Sequence, residues 1–182
     1  RRSPAVYRVS DMTVQLQAQP LSREAFAPFG EVIQTAGAHH YPINDGTTER
    51  YHRLAVVESY PDPAHQAAPE ALINLFVAQP SALPAKLSLM ERHPLGTQAF
   101  MPLSHQNWLV VVASTDGLPQ SRDLQAFVAT GEQGVQYRAG VWHHPLLALH
   151  TVSQFMVVDR GGPGHNLDEA KLPDTVFVDL ES

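Results

Sequence analysis

The sequence predicts an all-β fold in one domain, with one or two short helices. The chain has 182 residues, and its 15 prolines and 11 glycines are spread along the whole length. These residues divide it into short segments rich in Val, Leu and Phe, a pattern typical of β-strands separated by turns. No linker or internal repeat divides the chain, and its length matches one domain. The expected architecture is a β-sandwich or a β-barrel.

Eleven segments follow the strand pattern between turn residues. In chain order they are Thr13–Gln17, Glu31–Gln34, Arg53–Glu58, Leu72–Ala78, Ala85–His93, Trp108–Ser114, Leu124–Ala129, Gly134–Tyr137, Leu146–His150, Ser153–Asp159 and Thr175–Leu180. One short helix is expected after Ser22, because its hydroxyl can cap the first turn before Pro28 ends the helix. A second short helix is expected to start near Pro69.

Composition excludes several classes of protein. There are no cysteines, so the chain has neither disulfides nor thiolate metal sites, which fits a cytoplasmic protein. The formal net charge is −6, and the 12 Lys and Arg residues form no run that would bind nucleic acid. No apolar stretch reaches the length of a membrane span. The expected partner is therefore a small-molecule substrate, and neither nucleic acid nor a membrane is expected.

The start of the chain is treated separately from the domain. Residues 1–11 lack the apolar core of a signal peptide, and Met12 has the character of a natural start. We interpret residues 1–11 as an upstream or cloning-derived segment and residues 12–182 as the single domain.

The most informative stretch covers residues 85–100. Side chains alternate across a strand, so Leu87 and Leu89 share a face that is expected to point at the core. Glu91 and His93 follow on the same face and are expected to project inward where the strand ends. A buried carboxylate beside a buried imidazole is costly unless a partner such as a divalent metal ion compensates. The alternative is an internal salt bridge of Glu91 and a core hydrogen bond of His93.

The spacing of these residues is similar to that of the cupins. Glu91-x-His93, with Gln98 five residues later, resembles the first cupin motif, His-x-His followed after three or four residues by Glu. The stretch from Arg138 to His143 resembles the second motif, Pro-x-Gly-x-x-His, with Arg in place of Pro. The resemblance implies a cupin-like β-barrel and a metal-ligand set of Glu91, His93, Gln98 and His143. Such oxygen and nitrogen donors suit nickel, manganese, iron or zinc.

Two histidines are adjacent in the segment of residues 140–146. If the segment is extended, one of His143 and His144 faces inward and the other outward. The cupin resemblance assigns the inward position to His143. Trp142 is a candidate wall of the substrate pocket, and the alternative is that it is part of the core.

A polar loop over residues 43–52 is a candidate substrate contact. Its Asn-Asp-Gly sequence, which begins at Asn44, predicts a turn. Arg50 is the candidate for binding a substrate carboxylate, because a guanidinium makes bidentate contact with carboxylates. Asn44 and Tyr51 are expected to contact the substrate beside it. The alternative is an ordinary polar turn that enters the next strand.

Together these stretches resemble the ureidoglycolate lyase family, whose members are also described as ureidoglycolate hydrolases. The strings Glu-Arg-His-Pro-Leu-Gly and Trp-His-His-Pro-Leu are the most specific part of the resemblance. The matching pieces, in the family's order, are Pro20–Gly30, Asn44–Tyr51, Met90–Leu103 and Val141–Leu146.

The resemblance implies a function and a mechanism. The implied function is cleavage of ureidoglycolate into glyoxylate and urea during allantoin breakdown, by a homodimer with a divalent metal, for which the resemblance implies nickel. A metal bound to the substrate carboxylate and hydroxyl would lower the pKa of that hydroxyl. Without a metal, Glu91 or His93 would remove its proton, with His143 as the third candidate catalytic residue.

Two other functions remain open on the sequence. The first is an amidohydrolase that attacks the ureido carbonyl and releases ammonia and carbon dioxide. The second is a non-catalytic cupin that binds a small acid. One carboxylate and two imidazoles are more titratable groups than binding alone requires, and this favours an enzyme.

Overall fold

The computed structural model describes residues 12–181, and the predicted segment of residues 1–11 lies outside them. The described part contains fourteen strands and one α-helix, α1, at Arg23–Phe26. Two short 3-10 helices lie at Asn44–Gly46 and Ser121–Asp123. The strands are β1 Thr13–Pro20, β2 Gly30–Ile33, β3 His40–Ile43, β4 Thr48–Tyr51, β5 Glu70–Ala78, β6 Ala85–Arg92, β7 Gln98–Pro102, β8 Trp108–Ala113, β9 Leu124–Ala129, β10 Gly134–Tyr137, β11 Trp142–His143, β12 Leu147–Ala148, β13 Ser153–Gly161 and β14 Asp168–Leu180.

Six of these strands close into a barrel, in the order β6-β14-β1-β9-β8-β11. The ring closes because the two-residue strand β11 pairs with β6 on one side and with β8 on the other. A five-stranded antiparallel sheet, in the order β2-β10-β7-β13-β5, lies against the ring. Strands β3 and β4 form a separate two-stranded sheet. This architecture confirms the predicted all-β, cupin-like barrel.

Strand β8 shows how the ring and the sheet share the core. Leu109 and Val111 point into the ring, where they join one apolar cluster. Trp108, Val110 and Val112 point the other way and join a second cluster between the ring and the five-stranded sheet. A strand buried on both faces has no polar face, which explains its continuous apolar sequence. The protein therefore has two core layers, one inside the ring and one beneath the sheet.

The first predicted helix is confirmed, because the Ala25 backbone N–H donates to the Ser22 hydroxyl at 3.1 Å. The second is wrong. The segment after Pro69 is β5, which pairs with β13 along its entire length. No helix of the described residues is long and apolar enough to cross a membrane.

The predicted strand over residues 53–58 is also wrong. This segment crosses the outer face of the five-stranded sheet, and two of its backbone groups bond to side chains. The Val56 carbonyl accepts from the Gln136 amide at 2.8 Å, and the Glu58 N–H donates to the Thr97 hydroxyl at 3.0 Å. Its apolar residues therefore cover a sheet and do not extend one.

Candidate active site

Neighbouring strands of the ring bring Glu91 and His143 together. Glu91 near the end of β6 pairs directly with His143 on β11, so both side chains leave the same face of the ring. His93 follows two residues after Glu91, just past the end of β6. The three residues form a cluster whose candidate ligand atoms all lie within 4.8 Å of one another.

Glu91 reaches this position through an irregularity in β6. Leu87 and Met90 both point into the ring, so the alternation of side chains shifts by one residue between them. The shift lies opposite a bulge in β14, where the pairing moves from Lys171 to Val176. The prediction that Leu87 and Glu91 share one face was therefore wrong, and Glu91 points into the layer between ring and sheet.

The distances within the cluster are short. The Nε2 atoms of His143 and His93 lie 3.6 Å and 4.0 Å from Glu91 Oε1. The two imidazole rings are 5.3 Å apart between centroids. Tyr137, from the five-stranded sheet, stacks on the His143 ring at 4.1 Å with an interplanar angle of 7°. The site therefore lies where the ring meets the sheet.

Hydrogen bonds set the proton positions on both imidazoles. His93 Nδ1–H donates to the Asn166 carbonyl at 2.8 Å, and His143 Nδ1–H donates to the Val141 carbonyl at 2.9 Å. Both Nε2 atoms are buried and have no hydrogen-bond partner among the described residues. A neutral imidazole with Nδ1 protonated carries its lone pair on Nε2, which in both residues is directed at the cluster.

Burial sets the charge state of the site. It lowers the pKa of His143 to about 3, helped by His93 and His144 and opposed by the bond to Val141. It also raises the pKa of Glu91, and the nearby Glu169 adds to this effect while His93 opposes it. His143 is therefore neutral near pH 7 and serves as an electron-pair donor, whereas Glu91 is a carboxylate with increased basicity.

Gln98 lies beside the cluster, on the inner face of the five-stranded sheet. It pairs with Tyr137 across β7 and β10, so both side chains share the inner face of the sheet. Its amide Nε2 donates to Asp159 Oδ2 at 3.2 Å. Its oxygen is buried and has no hydrogen-bond partner in the part of the chain that the structure describes.

Trp142 lies on the opposite side of β11 from His143. Successive residues of a strand point to opposite faces, and Trp142 therefore packs inside the ring. Its indole N–H donates to the Gly117 carbonyl at 2.8 Å. The Arg92 guanidinium lies over the indole, with its Cζ atom 4.6 Å from the indole centroid. Its position supports the alternative that it belongs to the core and gives no support to a substrate contact.

The predicted substrate loop forms the β3–β4 hairpin. Asn44 and Arg50 are exposed. Tyr51 lines a recess on the outer face of the five-stranded sheet, together with Ile33 and Met156. Gln98 and Tyr137 lie on the inner face of that sheet. The structure thus does not bring the hairpin to the cluster within one protomer.

Comparison with known proteins gives one consistent result. The sequence model of the ureidoglycolate lyase family matches residues 13–179. The chain is 52% identical over 163 residues to a ureidoglycolate lyase of Burkholderia mallei, covering 90% of this chain and 92% of the relative. It is 47% identical over 167 residues to the ureidoglycolate lyase of Pseudomonas syringae, covering 92% and 95%.

The chain belongs to the ureidoglycolate lyase family. The matched region extends from β1 to the next-to-last residue of β14 and includes the complete cluster.

The cluster of this family member fits a metal ion. Metal-bound histidines usually donate their other ring N–H to a carbonyl or carboxylate, as His93 and His143 do. Two free Nε2 atoms and one carboxylate are also a common set of protein ligands for divalent ions. The residues Glu91, His93 and His143 can therefore hold such an ion.

Sequence reasoning missed three residues of the site. Tyr137 and Asp159 were predicted only as parts of strands, and Asn166 was assigned to no element. Each acts on a predicted residue: Tyr137 stacks on His143, Asp159 binds the Gln98 amide, and Asn166 accepts from His93. Their pairing is long-range, so no local pattern in the sequence indicates it.

Proposed function

We propose that this chain cleaves ureidoglycolate into glyoxylate and urea. The observation that carries the proposal is the cluster of Glu91, His93 and His143 in a member of the ureidoglycolate lyase family. The cluster adjoins a recess of about 520 Å³ that Phe76, Phe100 and Glu91 help to line. This space suits a small acid.

The reaction requires one proton to move within the substrate. The carbinol hydroxyl of ureidoglycolate loses its proton, the oxygen forms the aldehyde, and the carbon–nitrogen bond breaks. The departing nitrogen gains a proton and leaves as urea. Without a bound metal ion, Glu91 is the proposed carrier, taking the hydroxyl proton and delivering it to the nitrogen. Its raised pKa supports this role, because a carboxylate of greater basicity is a better general base.

The two histidines have a different proposed role. His143 is too weak a base in its buried position to hold a proton near pH 7, so its Nε2 serves as an electron-pair donor. His93 presents its Nε2 in the same way. Alternatively, the two histidines would hold a divalent ion together with Glu91; the family resemblance implies nickel, and such an ion would lower the pKa of a bound hydroxyl. Gln98 remains a predicted fourth ligand.

We also propose that the protein is a homodimer. Four apolar side chains form an outer patch on β5 and β13: Ile73, Leu75, Val77 and Met156 are 75%, 65%, 61% and 37% exposed. Leu75 and Met156 pair directly, so the patch is continuous. Strand β5 is also the edge of its sheet. A second copy of the chain is the proposed occupant, because a two-fold axis can pair this strand antiparallel with itself.

Arg50 is proposed to bind the substrate carboxylate in the site of the partner subunit. Its hairpin lies away from the cluster of its own protomer. Two other arginines already have partners: Arg92 binds Asp168 at 2.8 Å, and Arg160 donates to three backbone carbonyls. Asn44 and Tyr51 would accompany Arg50. A cytoplasmic location remains a prediction from composition.

One experiment tests the lyase proposal. Purified protein is incubated with ureidoglycolate while urea, ammonia and glyoxylate are assayed together. The proposal predicts equal amounts of urea and glyoxylate. Ammonia in place of urea would make the protein an amidohydrolase, and binding without turnover would make it a small-acid-binding cupin.

A further inference from the structure

A row of three side chains crosses the inner face of the five-stranded sheet beside the cluster. Tyr137, Gln98 and Asp159 stand on the neighbouring strands β10, β7 and β13. Asp159 Oδ2 accepts from Gln98 Nε2 at 3.2 Å, and its Oδ1 accepts from Asn74 Nδ2 at 2.9 Å. Both oxygens of the carboxylate therefore bind amide groups, and one of these amides borders the candidate active site.

Asp159 determines which end of the Gln98 amide faces the site. A carboxylate accepts hydrogen bonds and donates none, so the amide must turn its NH₂ group toward Asp159. The carbonyl oxygen then points away from β13, to the side where Tyr137 and His143 stack. Asn74 holds the other carboxylate oxygen, and this keeps Asp159 in place.

The Gln98 oxygen has capacity for a ligand. Gln98 is 6% exposed, and its oxygen is without a hydrogen-bond partner among residues 12–181. A buried carbonyl oxygen without a donor is unfavourable, so a ligand that supplies an N–H there is stabilised. The ureido group of ureidoglycolate carries three N–H bonds and needs acceptors of this kind.

We propose that Gln98 binds the ureido N–H groups of the substrate through its oxygen, and that Asp159 is a positioning residue that orients the Gln98 amide. This inference rests on the proposed lyase function and names the group that holds the departing urea. The Gln98 oxygen would then bind the substrate and not the predicted metal ion. The carboxylate end of the substrate is bound elsewhere, so the two ends can be tested separately.

The test is equilibrium binding of two unreactive probes to the intact protein. Oxalurate, in which the carbinol of ureidoglycolate is replaced by a carbonyl, has both a carboxylate and a ureido group. Oxalate has carboxylates only. In Asp159→Asn the new amide keeps its oxygen toward Asn74 Nδ2, so its NH₂ group faces Gln98, and the Gln98 amide turns and presents its N–H groups to the site. We expect oxalurate binding to weaken about 10- to 100-fold while oxalate binding changes less than about twofold.

A double variant supplies the rescue. Gln98→Glu combined with Asp159→Asn exchanges the acid and the amide, so every hydrogen bond of the row can re-form. One oxygen of the carboxylate at position 98 accepts from position 159, and the other remains an acceptor in the site. Oxalurate binding should return to within about fivefold of the wild type.

Three results would overturn the inference. Asp159→Asn binding oxalurate as the wild type does would remove the positioning role. Equal weakening of both probes would make Asp159 a residue of the fold alone. A lower nickel affinity of Asp159→Asn, measured by calorimetry, would show that Gln98 is a metal ligand instead. Failure of the wild type to release urea would instead remove the lyase function, because that assay is independent of probe binding.

Discussion

At the scale of single residues, Glu91 is the proposed proton carrier of the site. Its carboxylate lies within 4.0 Å of the Nε2 atoms of His93 and His143, and neither atom has a hydrogen-bond partner in the described chain. Burial raises its pKa and so increases its strength as a base. The chemistry of the site thus follows from desolvation of one acid beside two imidazole nitrogens that can donate an electron pair.

Glu91→Gln keeps the shape of this side chain and removes its basicity. We expect kcat to fall about 100- to 10,000-fold, the usual contribution of general acid–base catalysis, while the melting temperature stays unchanged or rises. Steady-state release of glyoxylate and thermal unfolding measure the two effects. Glu132→Gln is the matched control, because that glutamate is 78% exposed and pairs with His105. A Glu91→Gln variant with more than a tenth of wild-type kcat would rule out the role.

His143 predicts how the metal-free protein responds to acid. Its pKa is about 3 in the folded state and near 6.5 in the unfolded state. Between these values the unfolded chain binds a proton that the folded chain does not. The contribution of His143 to the free energy of unfolding is therefore complete above pH 6.5. It is lost as the pH falls toward 3, by about 1.4 kcal/mol per pH unit.

Urea unfolding at pH 7, 6, 5 and 4 measures this slope. Glu91 changes the stability with pH in the opposite sense. Its pKa is raised in the folded state, so its contribution to the free energy of unfolding is lost as the pH rises through that pKa. His143→Gln should flatten the slope relative to the wild type, and His105→Gln, on an exposed loop, should not. Identical slopes in wild type and His143→Gln would show that His143 is not a neutral buried group.

At the scale of elements, β5 has two functions in this account. Its inner residues face the second core layer and border the recess beside Glu91, and its outer residues form the apolar patch. Burial of a side chain such as Leu75 stabilises an interface by about 1.5–3 kcal/mol. The strand therefore links the proposed dimer to the site.

Leu75→Lys places a charge at the centre of the outer patch. We expect a monomer in sedimentation velocity, with the far-ultraviolet circular dichroism of the wild type, because the side chain is 65% exposed within one protomer. Leu118→Lys is the control, since Leu118 is 71% exposed away from the patch and its replacement should leave a dimer. A Leu75→Lys dimer as stable as the wild type would move the interface elsewhere.

The β3–β4 hairpin carries the prediction for Arg50. Arg50→Ala should lower kcat/KM about 10- to 100-fold, because a charge-assisted hydrogen bond to the substrate carboxylate is lost. Arg122→Ala is the control, an exposed arginine whose side chain is 82% accessible. Steady-state kinetics measures both.

Mixing two impaired variants shows which protomer uses Arg50. In a random mixture of Arg50→Ala and Glu91→Gln subunits, half of the dimers are mixed, and each has one intact site if Arg50 acts in the partner. About a quarter of wild-type activity should then return. No recovery after subunit exchange would mean that Arg50 does not act across the dimer.

At the scale of the whole molecule, the sequence predicted most strands but not how they are arranged around the site. Leu124–Ala129 and Gly134–Tyr137 were predicted with their observed bounds, because turn residues border both. Strand β7 was missed although it carries Gln98, since its Gln-Ala-Phe-Met-Pro sequence has no strict alternation and ends in proline.

The site shows the same limit. The spacing of Glu91 and His93 predicted that they lie together, and the cupin resemblance added His143. The irregularity in β6 could not be predicted, because it is set by the bulge in β14 about 80 residues away in the chain. Asp159 and Asn166 reach the site through such long-range pairing as well, and only the folded chain shows their contacts.

The fate of the ureido carbon distinguishes lysis from hydrolysis. Ureidoglycolate labelled with carbon-13 at the ureido carbonyl is incubated with the wild-type protein, and the carbon spectrum is recorded during turnover. Lysis leaves both nitrogens on that carbon, so we expect the label to appear as urea in step with the glyoxylate formed. Label appearing as bicarbonate, with free ammonia, would contradict the account, because the ureido group would then have been hydrolysed.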